Sequence, residues 1–200
     1  TNTGVDITGN ATFSDNDKAI FGDGSDLEIY HDGSNSYVKD AGTGSLVLEG
    51  QDLYLNSTAG TYLRGVEGGA VTIFHNDSTK FTTTSTGIQV TGTALATTDT
   101  DTTNTGSVTL DFQANQNFVL TLTGNVTLAN PSTEQVGQSG FITFIQDATG
   151  GRTVSLGTDY ETAGGAGLTL SSAASTTDIV PYVVVASGRI LLGTPQLAFS

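Results

Sequence analysis

Residues 21–37 read FGDGSDLEIYHDGSNSY. An apolar-aromatic pair, Ile29-Tyr30, runs directly into His31, Asp32, Gly33 and Ser34, and residues 73–78, IFHNDS, repeat the move. Ile29, Tyr30, His31, Asp32 and Ser34 fall opposite Ile73, Phe74, His75, Asn76 and Ser78. A second echo flanks the first: GVDITGN at 4–10 and GIQVTGT at 87–93. Self-similarity of this kind is the mark of a repeat architecture. Each unit is only a short strand and a tight turn, so it cannot bury its own hydrophobic face and must borrow a partner's. The pattern predicts an elongated, repetitive β shaft in which three identical chains intertwine.

Working outward, predicted strands occupy 18–21, 27–30, 37–39, 46–48, 53–55, 62–64, 71–74, 80–83 and 88–90. Between them lie DGS, AGTGS, EGQD, NSTAG, EGG and NDS, which supply the left-handed residues and Asx turns that end strands early. A spacing of about eight to ten residues is the all-β signature. No window places apolar residues at i, i+3, i+4 and i+7 behind a cap, so no helix longer than a turn is predicted. Apolar residues alternate within strands: Leu27 with Ile29, Leu46 with Leu48, Leu53 with Leu55, Val71 with Ile73. Two inward side chains per strand contribute less than the ordering of the unit costs. Three copies about one axis would bring these faces together and pair the strand edges.

Residues 91–106, TGTALATTDTDTTNTG, are poor in bulky apolar groups and rich in Thr and Asp, as a linker would be. The predicted organisation is a shaft at 1–95, a linker at 96–106 and a C-terminal domain at 107–200. Predicted strands there lengthen to 108–112, 118–122, 126–128, 141–146, 153–156, 168–170, 179–186 and 189–192. Phe118, Leu120 and Leu122 share one face, and Phe141, Thr143 and Ile145 are assigned likewise. TGN at 123–125 and ATGGR at 148–152 are expected to close hairpins. The sum is a β-sandwich or jelly-roll-like domain with its own core.

Composition narrows the function. Hydrophobic residues make up 36% of the 200, charged residues only 13%, and 20 acidic against 6 basic side chains give a net charge of −14. Lys18, Lys39, Arg64, Lys80, Arg152 and Arg189 are scattered, so there is no basic footprint for nucleic acid and no attraction to an anionic membrane. The longest apolar run, 179–186, is broken by Pro181 and is too short to span a bilayer. Cys is absent, which removes disulfides and thiolate chemistry. Met is absent even at position 1, which predicts a piece of a longer polypeptide, and residues 1–10 lack the pattern of a signal peptide.

Candidate sites are few. Asp23 and Asp26, in GDGSD, resemble one copy of the calcium-binding β-helix nonapeptide, but Leu27 comes a place early and no stacked copy completes the oxygen cage. A plain turn is the reading preferred. His31 and His75 are the only histidines, and equivalent copies could meet on a three-fold axis around a metal ion. Turn capping is the simpler role, because an Asx residue follows each. No cofactor is therefore expected, with Ca2+ or an axial metal as the alternative. Asp159 and Glu161 flank Tyr160 and form the one carboxylate pair to test for glycan hydrolysis, but nothing in the sequence supplies a desolvating pocket. Neither G-x-S-x-G nor H-E-x-x-H occurs. Asp159, Tyr160 and Glu161 are instead candidate receptor-binding residues, on a Gly-rich polar loop at 157–167 with Tyr160 as an exposed aromatic.

The blocks GDGSDLEIYHDGSNSYVKDAGTGSLVL and TSTGIQVTGT resemble shaft repeats of the tail fibres of tailed phages, those of marine bacteria and cyanobacteria in particular. NFVLTLTGNVTLANP, VGQSGFITFIQDATGGRTVSLG and SGRILLG are similar to C-terminal domains of such fibres. The resemblance implies a homotrimeric, non-enzymatic, extracellular virion protein. It would assemble with other tail proteins and contact a host-surface glycan or protein through its distal domain, without inserting into a membrane. A tailspike-like glycan depolymerase fragment and a cellular adhesin or filament subunit are the alternatives.

Overall fold

The computed structural model describes Gly4 and residues 6–200; residues 1–3, and Val5 of the GVDITGN echo, lie outside the described residues. The chain is all-β: regular structure among the described residues is strand, apart from one 3-10 turn at Ala163–Gly165. It divides into two units, Thr1–Gly92 and Thr93–Ser200.

The first unit holds two antiparallel meanders. β1 (Lys18–Phe21), β2 (Leu27–His31) and β3 (Ser36–Asp40) form one sheet. β4 (Asp52–Asn56), β5 (Thr61–Val66), β6 (Val71–His75), β7 (Ser78–Thr84) and β8 (Gly87–Val90) form the other. Turn chemistry sets the breaks. Between β1 and β2 the Asp26 side chain folds back over Gly22 and Gly24, where any Cβ would collide with its carboxylate. The two glycines of GDGSD are thus explained by a self-closing turn. Between β2 and β3 the Asp32 carboxylate accepts the Ser34 and Asn35 amides at 2.9 and 2.7 Å and the Tyr37 hydroxyl at 2.8 Å. Between β6 and β7 only Asn76 and Asp77 intervene, at φ 49° and 55°, the two-residue turn that matches the strand twist. The two echoes therefore share their strands and differ in loop length. The expected strand at 46–48 joins no sheet, and Leu46, Val47 and Leu48 stay exposed.

The second unit is one eight-stranded sheet: β9 (Thr98–Val108), β10 (Asn117–Leu128), β11 (Ser139–Gln146), β12 (Val154–Leu156), β13 (Tyr160–Thr162), β14 (Thr177–Ala186), β15 (Arg189–Leu192) and β16 (Gln196–Phe199). β9, β11 and β12 all run parallel to β10, and β13 runs parallel to β15. β14 is antiparallel to β11, β15 and β16. Residues 98–106, expected as linker, instead begin β9. A strand can be this polar because its ladder is backbone, and its solvated Asp side chains deter pairing with foreign edges.

The expected hairpins are absent. TGN lies inside the continuous β10, as a register irregularity between Leu122 and Val126. ATGGR separates β11 from β12, both of which lie along β10 in the same direction. The expected strand at 108–112 ends at Val108, because a parallel partner requires the chain to double back first. It returns through the interior, burying Leu110 and Phe112, with the Phe112 ring 5.0 Å from Phe118 and 5.2 Å from Tyr182. Residues 168–170 form no strand, yet Leu168 and Leu170 pack against the core. On β11 the buried face is Ile142, Phe144 and Gln146, while Phe141 is exposed and Thr143 and Ile145 are half-buried. The Gln146 amide explains the reversal: it donates to the Arg152 carbonyl and accepts the Arg152 N–H, each at 2.8 Å, so a polar residue is satisfied inside. Sixteen hydrophobic side chains, from Leu110 to Leu192, give this unit a core of its own.

Candidate functional site

The first unit has no such core. Among its described residues Glu28 alone is buried, and it is charged. Lys18 donates to it at 2.9 Å and Lys39 lies at 3.6 Å. The hydrogen bond from Lys18 is the chief reason its carboxyl sits below the ordinary range. On the same face Tyr30 and Tyr37 stack at 4.8 Å. The opposite face carries Ala19, Phe21, Leu27, Ile29 and Val38, with Phe21 53% and Val38 55% exposed.

The five-stranded sheet repeats this division at larger scale. Register places Leu55, Leu63, Ile73, Phe81 and Val90 in one row that crosses all five strands. Leu53, Val71 and Ile88 flank the row on the same face by alternation. None of the eight is buried; Leu55, Ile73 and Val90 keep 49, 44 and 45% of their surface in solvent. A contiguous apolar face on a sheet is a site for another surface, since soluble chains seldom leave one bare. Alternation alone marked Leu53, Leu55, Val71 and Ile73; the row became visible only with the register.

The residues singled out from the sequence fall elsewhere. Tyr160 is 5% exposed and belongs to the core, so it presents no aromatic surface. Burial pushes its hydroxyl far above the ordinary range, ahead of the influence of Asp159 and Glu134, and the oxygen has no partner. The middle of the expected recognition loop is tied down, because Tyr160, Glu161 and Thr162 pair with β15, while residues 163–167 are exposed. Glu161 accepts two hydrogen bonds from Arg189, at 2.7 and 2.9 Å, which hold its carboxyl below the ordinary range. A glycosidase acid needs the opposite shift. The Asp159 amide donates to Asn130 Oδ1, and its carbonyl accepts the Ile190 amide at 2.7 Å. Beside this segment lies an open cavity of about 590 Å³, lined by Ser155, Tyr160, Glu161, Thr162 and Leu168 among others.

His31 Nδ1 lies 3.1 Å from Ser36 Oγ across the end of the β2–β3 ladder, and His75 ends β6 in the other sheet. Asp23 and Asp26 sit in the β1–β2 turn. Among the described residues, no three His, Asp or Glu side chains converge to hold a metal ion.

Residues 100–189 match a family model described as "Putative phage tail fibre C-terminal domain". The matched stretch runs from within β9 to the start of β15 and covers a little under half of the chain. It is the self-cored unit, therefore, that resembles a tail-fibre domain. Comparison with curated proteins and with solved structures gives no match. Among the described residues no helix is long and apolar enough to cross a membrane.

Proposed function

We propose that the chain is a segment of a phage tail fibre, an extracellular virion component with a structural, non-catalytic role. In this reading the first unit is shaft: three copies turn the faces of Leu55, Leu63, Ile73, Phe81 and Val90 toward a shared interior. The second unit is the terminal domain, carried by the shaft toward the host surface and engaging it through three copies at once. Other tail proteins would hold the fibre on the particle.

The supporting observation is the bare apolar row in a unit where, among the described residues, Glu28 alone is buried. Covering side chains that are about half exposed contributes roughly 1 kcal/mol each, so the row and its flanks contribute roughly 6–8 kcal/mol per chain. That is comparable to the whole net stability of a typical domain, about 5–15 kcal/mol. The resemblance of residues 100–189 to a tail-fibre domain sets the biological context. Glu161, ion-paired to Arg189, carries the opposite of the shift that a glycosidase acid needs. Sedimentation equilibrium of the full chain tests the proposal: a trimer is expected, and a monodisperse monomer at micromolar concentration overturns it.

A further inference from the structure

The apolar row has a polar counterpart on the other side of the same sheet. Tyr54 pairs with Arg64, Arg64 with Thr72, Thr72 with Thr82, and Thr82 with Gln89. This second row also crosses all five strands and holds no carboxylate. Four strand spacings of about 4.8 Å make it roughly 19 Å long. Thr82 donates to Thr72 at 3.3 Å, and the Arg64 guanidinium lies 5.3 Å from the centre of the Tyr54 ring. Tyr62, two residues before Arg64, stands at the register shift between β4 and β5, unpaired and 60% exposed. Bulges of this kind re-aim side chains and gather at functional surfaces.

Charge distinguishes this row from the rest of the surface. Of the six basic side chains, Lys18 and Lys39 are held by Glu28, Arg152 by Asp147 and Arg189 by Glu161. Arg64 and Lys80 form no ion pair among the described residues. In a chain of net charge −14, an unneutralised guanidinium beside the exposed Tyr54 ring is a local exception. Tyr and Arg are also the residue types that dominate binding energy at interfaces. A guanidinium takes a carboxylate through two parallel hydrogen bonds, and flat tyrosine rings cover apolar ring faces with little loss of side-chain freedom.

We propose that this face binds a carboxylate-bearing polysaccharide, with Arg64 on the acid group, Tyr54 and Tyr62 against sugar rings, and Thr72, Thr82 and Gln89 toward sugar hydroxyls. Self-association through the opposite face, as proposed above, leaves this one outward, and to that extent the two proposals are linked. The surface lies in the first unit and is built from residues other than those the sequence nominated.

Titration calorimetry of the full chain with alginate oligosaccharides tests it, with neutral dextran alongside and native mass measured on each sample. Alginate is expected to bind and to weaken as salt rises, while dextran does not bind. Arg64→Gln should weaken alginate binding at least tenfold and Tyr62→Ala several-fold, while Lys80→Gln leaves it unchanged. Tyr62 is exposed at a bulge, so its variant reports on binding even if Arg64→Gln disturbs the sheet. Absent alginate binding, equal binding of dextran, an inert Arg64→Gln, or an equal loss in Lys80→Gln would each overturn the proposal. A trimeric mass with no alginate binding removes this inference alone; a monomeric mass removes the shaft reading.

Discussion

Replacing Ile73 by Lys places a charge at the midpoint of the apolar row, between Leu63 and Phe81. On an isolated sheet the change is mild, because Ile73 is 44% exposed and a lysine stem can lie along its neighbours while the ammonium reaches water. Exposed substitutions of that kind stay within about 0.5 kcal/mol. In a shared interior the same ammonium is taken out of water without a partner. The cost is several kcal/mol per ion, hence roughly 10 kcal/mol or more for three copies, enough to dissociate the assembly. Native mass spectrometry and thermal melting of the wild type, Ile73→Lys and the opposite-face control Gln89→Lys separate the two cases. The expected outcome is a trimer for wild type and control, and monomer or aggregate with a lower melting temperature for Ile73→Lys. A trimer of unchanged stability in Ile73→Lys would refute the placement of this row in the interior.

Four further outcomes follow. Glu28, Asp32, Asp147 and Glu161 all titrate below their ordinary values, through Lys18, the Asn35 amide, Arg152 and Arg189 respectively. Their stabilisation is in place above the unfolded carboxylate range and is lost as pH falls through the folded values, so melting temperature should hold from pH 7 to about 5 and drop below about 4. Tyr160→Phe removes an unpartnered buried hydroxyl and should leave stability unchanged or slightly raised, whereas Tyr160→Ala should cost about 3–5 kcal/mol in denaturant titration. Asp178 is buried and accepts the Ser171 amide and hydroxyl and the Ala198 amide, so Asp178→Ala should cost about 2–4 kcal/mol and free β16 for proteolysis. A fragment of residues 93–200 should give a cooperative melt, while one of 107–200 lacks most of β9, bares the edge of β10 and should aggregate.

The strands of the first unit were legible because Leu53 and Leu55, or Val71 and Ile73, alternate between clusters of turn-forming residues. Their cross-strand partners were not, since register depends on loop length: four residues after His31 and two after His75. β9 was hidden because its ladder consists of backbone bonds that leave no apolar pattern. Parallel pairing was equally invisible in β10 and β11, where period two fits either direction. The face of β11 was misassigned because Gln146 reads as an outward residue, and only its bonds to Arg152 make it an inward one. Tyr160 drew attention as an aromatic among glycines, but glycine-rich neighbours are equally consistent with a ring turned inside. Arg64 left no local signal, because its significance lies in the ion pairs that the other basic residues make.

Asn104 bears on how β9 finds its place. Eleven residues drawn mostly from Thr and Asp could slide two positions along β10 and meet nearly the same surroundings. Asn104 breaks that degeneracy: it is 1% exposed, its side-chain amide donates to the carbonyls of Asp101 and Thr121, and its backbone carbonyl accepts the Thr123 hydroxyl. It sits where the ladder is already irregular, opposite Leu122, and a strand slipped by two would bring Thr102 or Gly106 there in its stead. One amide thus acts as the tooth of a ratchet, and an otherwise monotonous ribbon has a single seating.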